Sequence, residues 1–214
     1  MASRNTHAMI ICNGEPPSRA LCRKYARECD LIIAADGGAN TARKHGTRPH
    51  VIIGDLDSIT SATRNYFRTA RFIRIGRQDS TDLEKALSFA QRNGVASVTL
   101  VGATGKRIDF TLGNLSVLWN YARRLAITVA ADGWNAQPIV RRIDLRVKAG
   151  STISLIPFGP CSGITLKGLR FPLRNARMKV GEIGVSNVAV RSRISVVVKR
   201  GKMLLIAIEK NSKS

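Results

Sequence analysis

The distribution of apolar residues divides the chain into two parts with different rhythms. In the first 130 residues, short unbroken apolar runs alternate with longer stretches of helical character. Unbroken apolar strands joined by helices are typical of a parallel sheet that is covered on both faces. We therefore predict an α/β fold with a doubly wound, mainly parallel sheet. The predicted strands are Met9–Cys12, Leu31–Ala35, Val51–Gly54, Phe72–Ile75, Ser97–Val101 and Ile127–Ala131. The predicted helices lie near Ser18–Cys29, Asn40–His45, Ser61–Phe67, Thr81–Asn93 and Asp109–Arg124.

After Asp132-Gly133 the rhythm changes. Short strands follow one another across tight turns, as in DLRV-KAG-STISLIPF and SVVV-KRGK-MLLIAI, and no helical period of useful length is present. Gly150 and Gly201 are expected to supply the turn conformations. We predict a small antiparallel β-sandwich here. The expected division is an α/β domain over residues 1–133 and a β-sandwich domain over residues 134–214.

Composition narrows the class of protein. The chain is 44% hydrophobic, but no apolar stretch reaches the roughly 18 residues that a membrane-spanning helix needs. The first residues show no secretory pattern, so we expect a cytoplasmic protein with no membrane partner. The four cysteines form no C-x-x-C pair, and the three histidines fall in no zinc-ligand spacing. Reduced structural thiols are expected, and neither a zinc site nor a disulfide framework.

The formal net charge is +21, from 35 basic and 14 acidic residues. Such an excess favours polyanions, because Lys and Arg neutralise phosphates and release counterions. The basic residues are nevertheless scattered along the sequence, and no glycine-aromatic segment resembles an RNA-binding strand. General polyanion affinity is compatible with this pattern, and no specific nucleic-acid partner is expected.

Carboxylates follow the predicted strands at the point where each strand ends. Ligands of doubly wound sheets bind outside the carboxyl ends of the strands. Taken singly, such an aspartate is more often a turn or helix cap; Asp55 and Asp82 both suit that role. Taken as a set at one edge of the sheet, the carboxylates would repel one another unless cations neutralise them. The six residues are Asp36, Asp55, Asp57, Asp79, Asp82 and Asp109.

Oxygen ligands without histidine or thiolate select Mg²⁺, which bridges carboxylates to substrate phosphates. The Asp-x-Asp spacing of Asp55 and Asp57 allows both side chains to address the same metal site. Lys85 lies in the first turns of a predicted helix, where it could meet a phosphate near the helix N-terminus. The residues therefore indicate metal-dependent phosphoryl chemistry.

Other phosphate and hydrolase motifs are absent from the sequence. GATGKR lacks the glycine spacing and the Ser/Thr of a P-loop. No G-x-G-x-x-G follows the first predicted strand, and no G-x-S-x-G elbow is present. Dinucleotide binding and a hydrolytic triad are thus unsupported.

Six segments of the chain resemble signature motifs of the thiamine pyrophosphokinase family. They run in order through nearly the whole chain, and six together are highly specific. Four lie in the first part: AADGGAN (34–40), VIIGDLDS (51–58), DSTDLEKAL (79–87) and GKRIDFTLGN (105–114). GLRFPL (168–173) and GVSN (184–187) resemble the family's thiamine-side motifs.

The resemblance implies an α/β domain followed by a β-sandwich in a homodimeric enzyme. It implies transfer of the pyrophosphoryl group of ATP to the hydroxyl of thiamine, which releases AMP and requires Mg²⁺. By motif position, the implied metal ligands are Asp55, Asp57 and Asp82. The implied phosphate contacts are Gln78, Thr81 and Lys85, with Arg107 and Asp109 completing the catalytic site. Asp36 and Asn40 would line the same pocket, and Ser186 and Asn187 would hold thiamine. Asp109 and Asp79 are both candidates for accepting the proton of the alcohol.

Departures from the family pattern concern the thiamine side more than the metal site. Phe110 stands where many members carry histidine, and His50 follows Pro49 where aspartate is usual. Val188 replaces an acid, and Phe171 replaces the tyrosine of G-L-x-Y-P. All three implied metal ligands are present. Two alternatives stay open: a Mg²⁺-dependent pyrophosphokinase for another heterocyclic alcohol such as a pterin, and a basic polyanion- or RNA-binding protein on a decayed enzyme scaffold.

Overall fold

The computed structural model describes residues 6–77, 79–182 and 184–209. The chain forms two compact units: the first ends at Asp132 and the second begins at Gly133. In the described part of the chain, no helix is both long and apolar enough to span a bilayer.

The first unit contains a six-stranded sheet in which every neighbouring pair of strands is parallel. The strand order is β6-β5-β1-β2-β3-β4. The chain therefore winds outward from β1 to β4 and then returns to the other side of β1 to form β5 and β6. This result confirms the predicted doubly wound parallel sheet. The strands are β1 (His7–Ile11), β2 (Leu31–Ala35), β3 (Val51–Gly54), β4 (Arg71–Arg74), β5 (Ser97–Val101) and β6 (Ala126–Ala131).

Five helices connect these strands, and local sequence determines where three of them begin. The side chains of Ser18, Thr60 and Thr81 each accept a hydrogen bond from a backbone N–H of the first turn. Such caps satisfy donors that have no partner inside the helix. The helices are α1 (Arg19–Glu28), α2 (Gly38–His45), α3 (Ser61–Tyr66), α4 (Asp82–Arg92) and α5 (Ile108–Tyr121).

The central strands of the sheet are buried on both faces, as unbroken apolar strands require, whereas the edge strand β4 is partly exposed. All four residues of β3 are buried, and so are the last four of β1, β2 and β5. Helix α4 buries the predicted stripe of Leu83, Ala86, Leu87 and Ala90. Each fully buried large aliphatic side chain contributes about 1.5–3 kcal/mol. This core holds the carboxyl ends of the strands, and the loops that follow them, in fixed positions.

The second unit consists of two antiparallel four-strand arrays that share one apolar core, which confirms the predicted β-sandwich. One array has the order β12-β9-β14-β7 and the other β11-β10-β13-β8. The strands are β7 (Trp134–Ile139), β8 (Arg142–Arg146), β9 (Thr152–Pro157), β10 (Cys161–Lys167), β11 (Ala176–Met178), β12 (Asn187–Val188), β13 (Arg193–Val197) and β14 (Met203–Ile208).

The predicted turns at Gly150 and Gly201 have left-handed backbone, with φ of 88° and 106°. These glycines are suited to such conformations because they lack a Cβ. The strands on either side of each turn belong to different arrays: β8 pairs with β13, and β9 pairs with β14. The turns therefore carry the chain from one layer of the sandwich to the other.

Candidate active site

A cleft of about 460 Å³ lies at the carboxyl ends of the parallel strands of the first unit. Its walls come from the segments that follow β1, β2, β3 and β5 and from the N-terminus of α4. The connections that leave β1 and β5 run to opposite sides of the sheet, so the cleft lies at the topological switch point, where ligands of this fold bind. The lining residues are Cys12, Asn13, Gly14, Ala35, Asp36, Asp55, Asp57, Ser58, Thr81, Asp82, Leu83, Ala103, Gly105, Lys106, Arg107, Phe110 and Asn114.

Three carboxylates meet in this cleft. Asp36, Asp55 and Asp57 each offer an oxygen, and these three oxygens lie within 4.8 Å of one another. Asp36 directly follows β2, and Asp55 and Asp57 follow the neighbouring β3. The backbone N–H of Asp57 donates to Asp55 Oδ1 at 3.2 Å, which folds the short loop back on itself. An oxygen-only group of this size matches the ligand preference of Mg²⁺.

Asp36 is the most informative member of the group. Its side chain is 3% exposed, and its Oδ1 has no hydrogen-bond partner among the described residues. Burial raises the pKa of Asp36; the carboxylates of Asp82 and Asp55 add to the rise, and hydrogen bonds from Ser58 and Gly37 oppose it. A buried carboxylate oxygen without a donor is costly. A bound cation would supply the missing partner, so these residues fit a metal ion.

Asp82 lies at the same edge of the sheet but already has a partner. Lys85 Nζ donates to Asp82 Oδ1 at 2.9 Å. The ammonium of Lys85 is buried, with its side chain 4% exposed, whereas the side chain of Asp82 is 32% exposed. The geometric group thus contains Asp36 in place of the predicted Asp82. Lys85 does not line the cleft and acts on it through Asp82.

The floor of the cleft depends on Gly54, the last residue of β3. A Cβ placed on Gly54 would lie 2.8 Å from Asp36 Cβ and 3.0 Å from Asp82 Oδ1. The first distance is too short for any side chain, and the second would force the carboxylate of Asp82 to shift. The glycine therefore allows the carboxylates of neighbouring segments to approach one another across β3.

The N-terminus of α4 forms one wall. Thr81 and Glu84 make a reciprocal capping box: Glu84 N–H donates to Thr81 Oγ1 at 3.2 Å, and Thr81 N–H donates to Glu84 Oε2 at 3.1 Å. Thr81 lines the cleft as predicted, but its side-chain oxygen also serves as the helix cap. The positive end of the α4 dipole is thereby held beside the cleft.

The segment between β5 and α5 contributes two cations to the lining of the cleft. Arg107 and Lys106 line the cleft, and Arg107 Nε donates to Asp109 Oδ1 at 3.1 Å. The Arg107 guanidinium lowers the pKa of Asp109, and both side chains are largely exposed. The guanidinium carbon of Arg107 also lies 4.3 Å from the centre of the Phe110 ring, a cation–π arrangement. Asp109 itself is not among the lining residues.

Three further residues of the first unit were predicted to belong to the site: Asn40, Gln78 and Asp79. Asn40 supports the β3 loop, because its Nδ2 donates to the Ser58 carbonyl at 2.8 Å and its Oδ1 accepts from Thr60 N–H at 3.2 Å. Asp79 is exposed and forms an ion pair with Arg77 at 3.3 Å. Gln78 lies outside the described residues. The role of each stays a prediction.

Sequence reasoning missed the wall formed by Cys12, Asn13 and Gly14. This segment follows β1 and carries no charged residue, so a search for carboxylates and cations passed over it. The carboxyl end of β1 was itself a usable signal, because β1 borders the switch point of a doubly wound sheet. Burial raises the pKa of the Cys12 thiol to about 12, so Cys12 acts as an apolar lining group.

In the second unit, the two thiamine-like motifs are tied together by hydrogen bonds. Asn187 Oδ1 accepts from Phe171 N–H at 3.0 Å, and Asn187 Nδ2 donates to the Phe171 carbonyl at 2.7 Å. Ser186 has a left-handed φ of 63°, and its backbone N–H donates to Ser154 Oγ at 3.1 Å. Asn187 therefore fixes the backbone of Phe171, whose side chain is 62% exposed.

The fold and the cleft together define a class: α/β proteins that bind ligands at the switch point of a parallel sheet, here with carboxylates in place of a glycine-rich phosphate loop. Comparison with known families makes the assignment specific. Residues 22–130 match the thiamin pyrophosphokinase catalytic domain, and residues 141–203 match the thiamin pyrophosphokinase vitamin B1 binding domain. The chain belongs to the thiamin pyrophosphokinase family, which confirms the resemblance of the motifs.

Individual relatives agree with this assignment. The chain is 29% identical to thiamine pyrophosphokinase 1 of Oryza sativa subsp. japonica over 222 residues, covering 89% of this chain and 83% of that protein. It is 28% identical to thiamine pyrophosphokinase of Bacillus subtilis (strain 168), covering 85% and 89%. The crystal structure of thiamine pyrophosphokinase from Bacillus subtilis superimposes with a TM-score of 0.86 at 26% identity, over 96% of this chain and all of that one.

Proposed function

We propose that this protein is an ATP-dependent thiamine diphosphokinase. It transfers the pyrophosphoryl group of ATP to the hydroxyl of thiamine and yields thiamine diphosphate and AMP. The observation that carries the proposal is the group of Asp36, Asp55 and Asp57 at the switch point, with a buried carboxylate oxygen that has no donor. Membership of the thiamin pyrophosphokinase family supports the choice of reaction.

The carboxylate group suits one or more Mg²⁺ ions. Asp36, Asp55 and Asp57 would hold the metal, and Asp82 lines the same cleft and adds negative charge beside Asp36. When bound, the metal would neutralise charge on the transferred phosphates. Lys85 donates a hydrogen bond to the carboxylate of Asp82 and so fixes its orientation without lining the cleft.

The chain's own groups position the polyphosphate. The N-terminus of α4 directs backbone N–H groups and a positive dipole end toward the cleft. Lys106 and Arg107, in the segment between β5 and α5, add positive charge to the lining. Phosphoryl transfer needs little covalent participation by the protein, so positioning and charge neutralisation supply most of the catalysis.

The acceptor hydroxyl loses one proton during transfer. Arg107 holds Asp109 in its ionised form, so Asp109 is a competent but weak acceptor at neutral pH. A loose transition state makes little demand on a strong base. Asp79 is exposed and paired with Arg77, and it is the second candidate.

Recognition of thiamine is assigned to the second unit. Ser186 supplies an exposed polar group on left-handed backbone. Phe171 presents an exposed aromatic ring, and its backbone is hydrogen-bonded to Asn187, the residue that follows Ser186. An aromatic ring suits the planar heterocycles of thiamine.

We also propose that the protein is a cytoplasmic homodimer. Three apolar side chains near the start of α5 are well exposed: Ile108, Phe110 and Leu112 at 73%, 49% and 55%. Contact with a second copy would remove this apolar surface from water. The four cysteines are free thiols, which agrees with a reducing compartment.

The test is an assay of the purified chain with ATP, Mg²⁺ and thiamine, in which AMP and thiamine diphosphate are followed together. The proposal requires equal amounts of both products and their loss on addition of EDTA. AMP formation only with another heterocyclic alcohol, such as a hydroxymethyl pterin, would keep the cleft assignment and replace the acceptor. A chain that forms no AMP with either acceptor would contradict the proposal.

A further inference from the structure

The sheet β11-β10-β13-β8 of the second unit has one apolar and one basic face. The apolar face packs into the core through residues such as Ile143, Leu145, Ile194 and Val196. Side chains alternate along a strand, so the intervening residues point outward. The outward cations come from all four strands: Arg142 and Arg146 of β8, Arg193 of β13, Lys167 of β10 and Arg177 of β11. We call these five residues the basic face.

The arrangement of the basic face leaves positive charge uncompensated. Arg146 and Arg193 are register partners in the antiparallel ladder. Like charges in directly opposite positions destabilise a sheet unless an anion lies between them. The only acid in the outward positions of these strands is Asp144, and Arg142 binds it with two hydrogen bonds of 2.7 and 3.0 Å. Arg146 and Arg193 have no acidic partner among the described residues.

Two hollows flank this pair of arginines. One has a volume of about 470 Å³, and its charged lining residues are Arg142, Asp144, Arg146, Lys167, Arg191 and Arg193. The other has a volume of about 490 Å³; it shares Arg146 and Arg193 and adds Lys148 and Glu209. The surface is thus a pair of cationic grooves that meet at Arg146 and Arg193.

We propose that the basic face binds the phosphodiester backbone of duplex nucleic acid, without sequence specificity. Arginine guanidinium groups match phosphate oxygens through two parallel hydrogen bonds. Single strands are bound largely by stacking on aromatic side chains, and neither groove has an aromatic residue in its lining. A duplex instead carries all its phosphates on the outside. A membrane surface is less suited, since the charges line grooves whose linings hold no aromatic residue and a single well-exposed large apolar side chain, Ile208 at 44%.

The scattered sequence positions of these cations explain why the charge pattern alone predicted no docking surface. Residues 142–146, 167, 177 and 193 are separated along the chain, and strand pairing brings them to one face. The proposal concerns this face alone and does not depend on the reaction proposed above.

The experiment measures binding of a fluorescein-labelled 24-base-pair DNA duplex by fluorescence anisotropy between 50 and 200 mM salt. The test variant is Arg146→Gln/Arg193→Gln. Its matched control is Arg68→Gln/Arg71→Gln, which removes two exposed cations of the first unit. Each phosphate contact contributes about 0.9 to the slope of log affinity against log salt concentration. We expect the test variant to lose at least about tenfold in affinity at 100 mM salt and about 2 units of that slope.

The control variant is expected to bind within about threefold of the parent protein. Both variants should keep the parent's circular dichroism spectrum, and the test variant should melt at or above the parent's thermal midpoint, because it loses an unfavourable pair of like charges. Equal losses in the two variants would show diffuse attraction to the whole surface and would overturn the proposal. It would also be overturned by a parent protein that does not bind the duplex at 50 mM salt. Binding to anionic lipid vesicles but not to the duplex would replace nucleic acid with a membrane surface.

Discussion

Lys85 Nζ lies 2.9 Å from Asp82 Oδ1, and the ammonium is almost completely buried beneath the acidic edge of the sheet. The pair connects the core stripe of α4 to the carboxylate cleft. Asp36 and Asp55 lie near Asp82, so Lys85 offsets part of the repulsion among these aspartates. The lysine therefore links the stability of the first unit to the chemistry of its site.

Replacing Lys85 by Met should lower the free energy of unfolding by about 1–3 kcal/mol in the presence of EDTA. The substitution keeps the volume of the side chain but leaves Asp82 without its cation. The figure lies below the full cost of breaking a buried pair because Asp82 is partly exposed. Urea unfolding of the two single variants and of Lys85→Met/Asp82→Asn gives the interaction free energy between Lys85 and Asp82. Additive effects of the two substitutions would contradict the role given to this pair.

Asp57→Asn should reduce turnover by on the order of 100-fold or more while leaving the fold intact. Asp57 is exposed and makes no core contact, so its loss removes a ligand oxygen and little packing. Steady-state kinetics and a thermal melt are the measurements. Glu28→Gln, which neutralises an exposed acid of α1, is the matched control and should retain full activity. Retention of activity in Asp57→Asn would refute its assignment to the metal.

Variants of Ser186 and Asn187 should distinguish a residue that contacts thiamine from one that positions its neighbour. Ser186→Ala is expected to raise the KM for thiamine by about tenfold, the scale of one lost hydrogen bond, with little effect on the KM for ATP or on stability. Asn187→Ala should raise the KM for thiamine and also lower the thermal midpoint, because it releases the backbone of Phe171. The measurements are steady-state kinetics, with thiamine and ATP varied in turn, and a thermal melt of each variant. A Ser186→Ala effect confined to ATP would refute its placement on the thiamine side.

His7 should make the protein less stable on acidification from pH 7 to pH 5. Burial lowers the pKa of His7 against the opposing charges of Asp30 and Glu28, and both ring nitrogens contact hydroxyls, those of Ser97 at 2.8 Å and Thr99 at 3.1 Å. Below the unfolded pKa of about 6.5, the unfolded chain binds a proton that the folded chain does not, so the free energy of unfolding falls as pH falls.

His7→Gln should flatten this dependence, which urea unfolding at pH 7 and pH 5.5 will measure. The comparison variant Ser97→Ala removes a hydroxyl partner but no titratable group, so it should lower stability by similar amounts at the two pH values. An unchanged pH dependence in His7→Gln would show that His7 is not the group responsible.

Sequence alone predicted the elements of the first unit almost residue by residue. The apolar runs at Leu31–Ala35, Val51–Gly54 and Ser97–Val101 coincide with β2, β3 and β5. The reason is physical: a parallel sheet buried on both faces needs unbroken apolar strands, and few other structures tolerate them. The start of a helix could also be predicted where a side chain caps the first turn, as Ser18 and Thr81 do.

Partnerships between distant residues could not be predicted in the same way. The phosphate contact of Lys85 stays a prediction, and the burial of its ammonium against Asp82 could not be inferred from its spacing. The thiamine contact of Asn187 also stays a prediction, and its two amide hydrogen bonds to Phe171, sixteen residues away, could not be inferred from the motif. In the sandwich, the turns at Gly150 and Gly201 were recognisable, whereas the array to which each strand belongs depends on long-range pairing. Periodicity reports which face is buried and not which neighbour covers it.

Gly54 has a consequence for attempts to alter the metal preference of the cleft. A residue with no side chain lies between Asp36 and Asp82, and one added methyl group would collide with the Cβ of Asp36 and press on the carboxylate of Asp82. Natural variation and laboratory evolution are thus denied the simplest adjustment, a change in the floor between the carboxylates. A change of metal preference must instead come from residues that line the cleft and not from the strand beneath it. The backbone of β3 therefore limits how far apart these carboxylates can be placed.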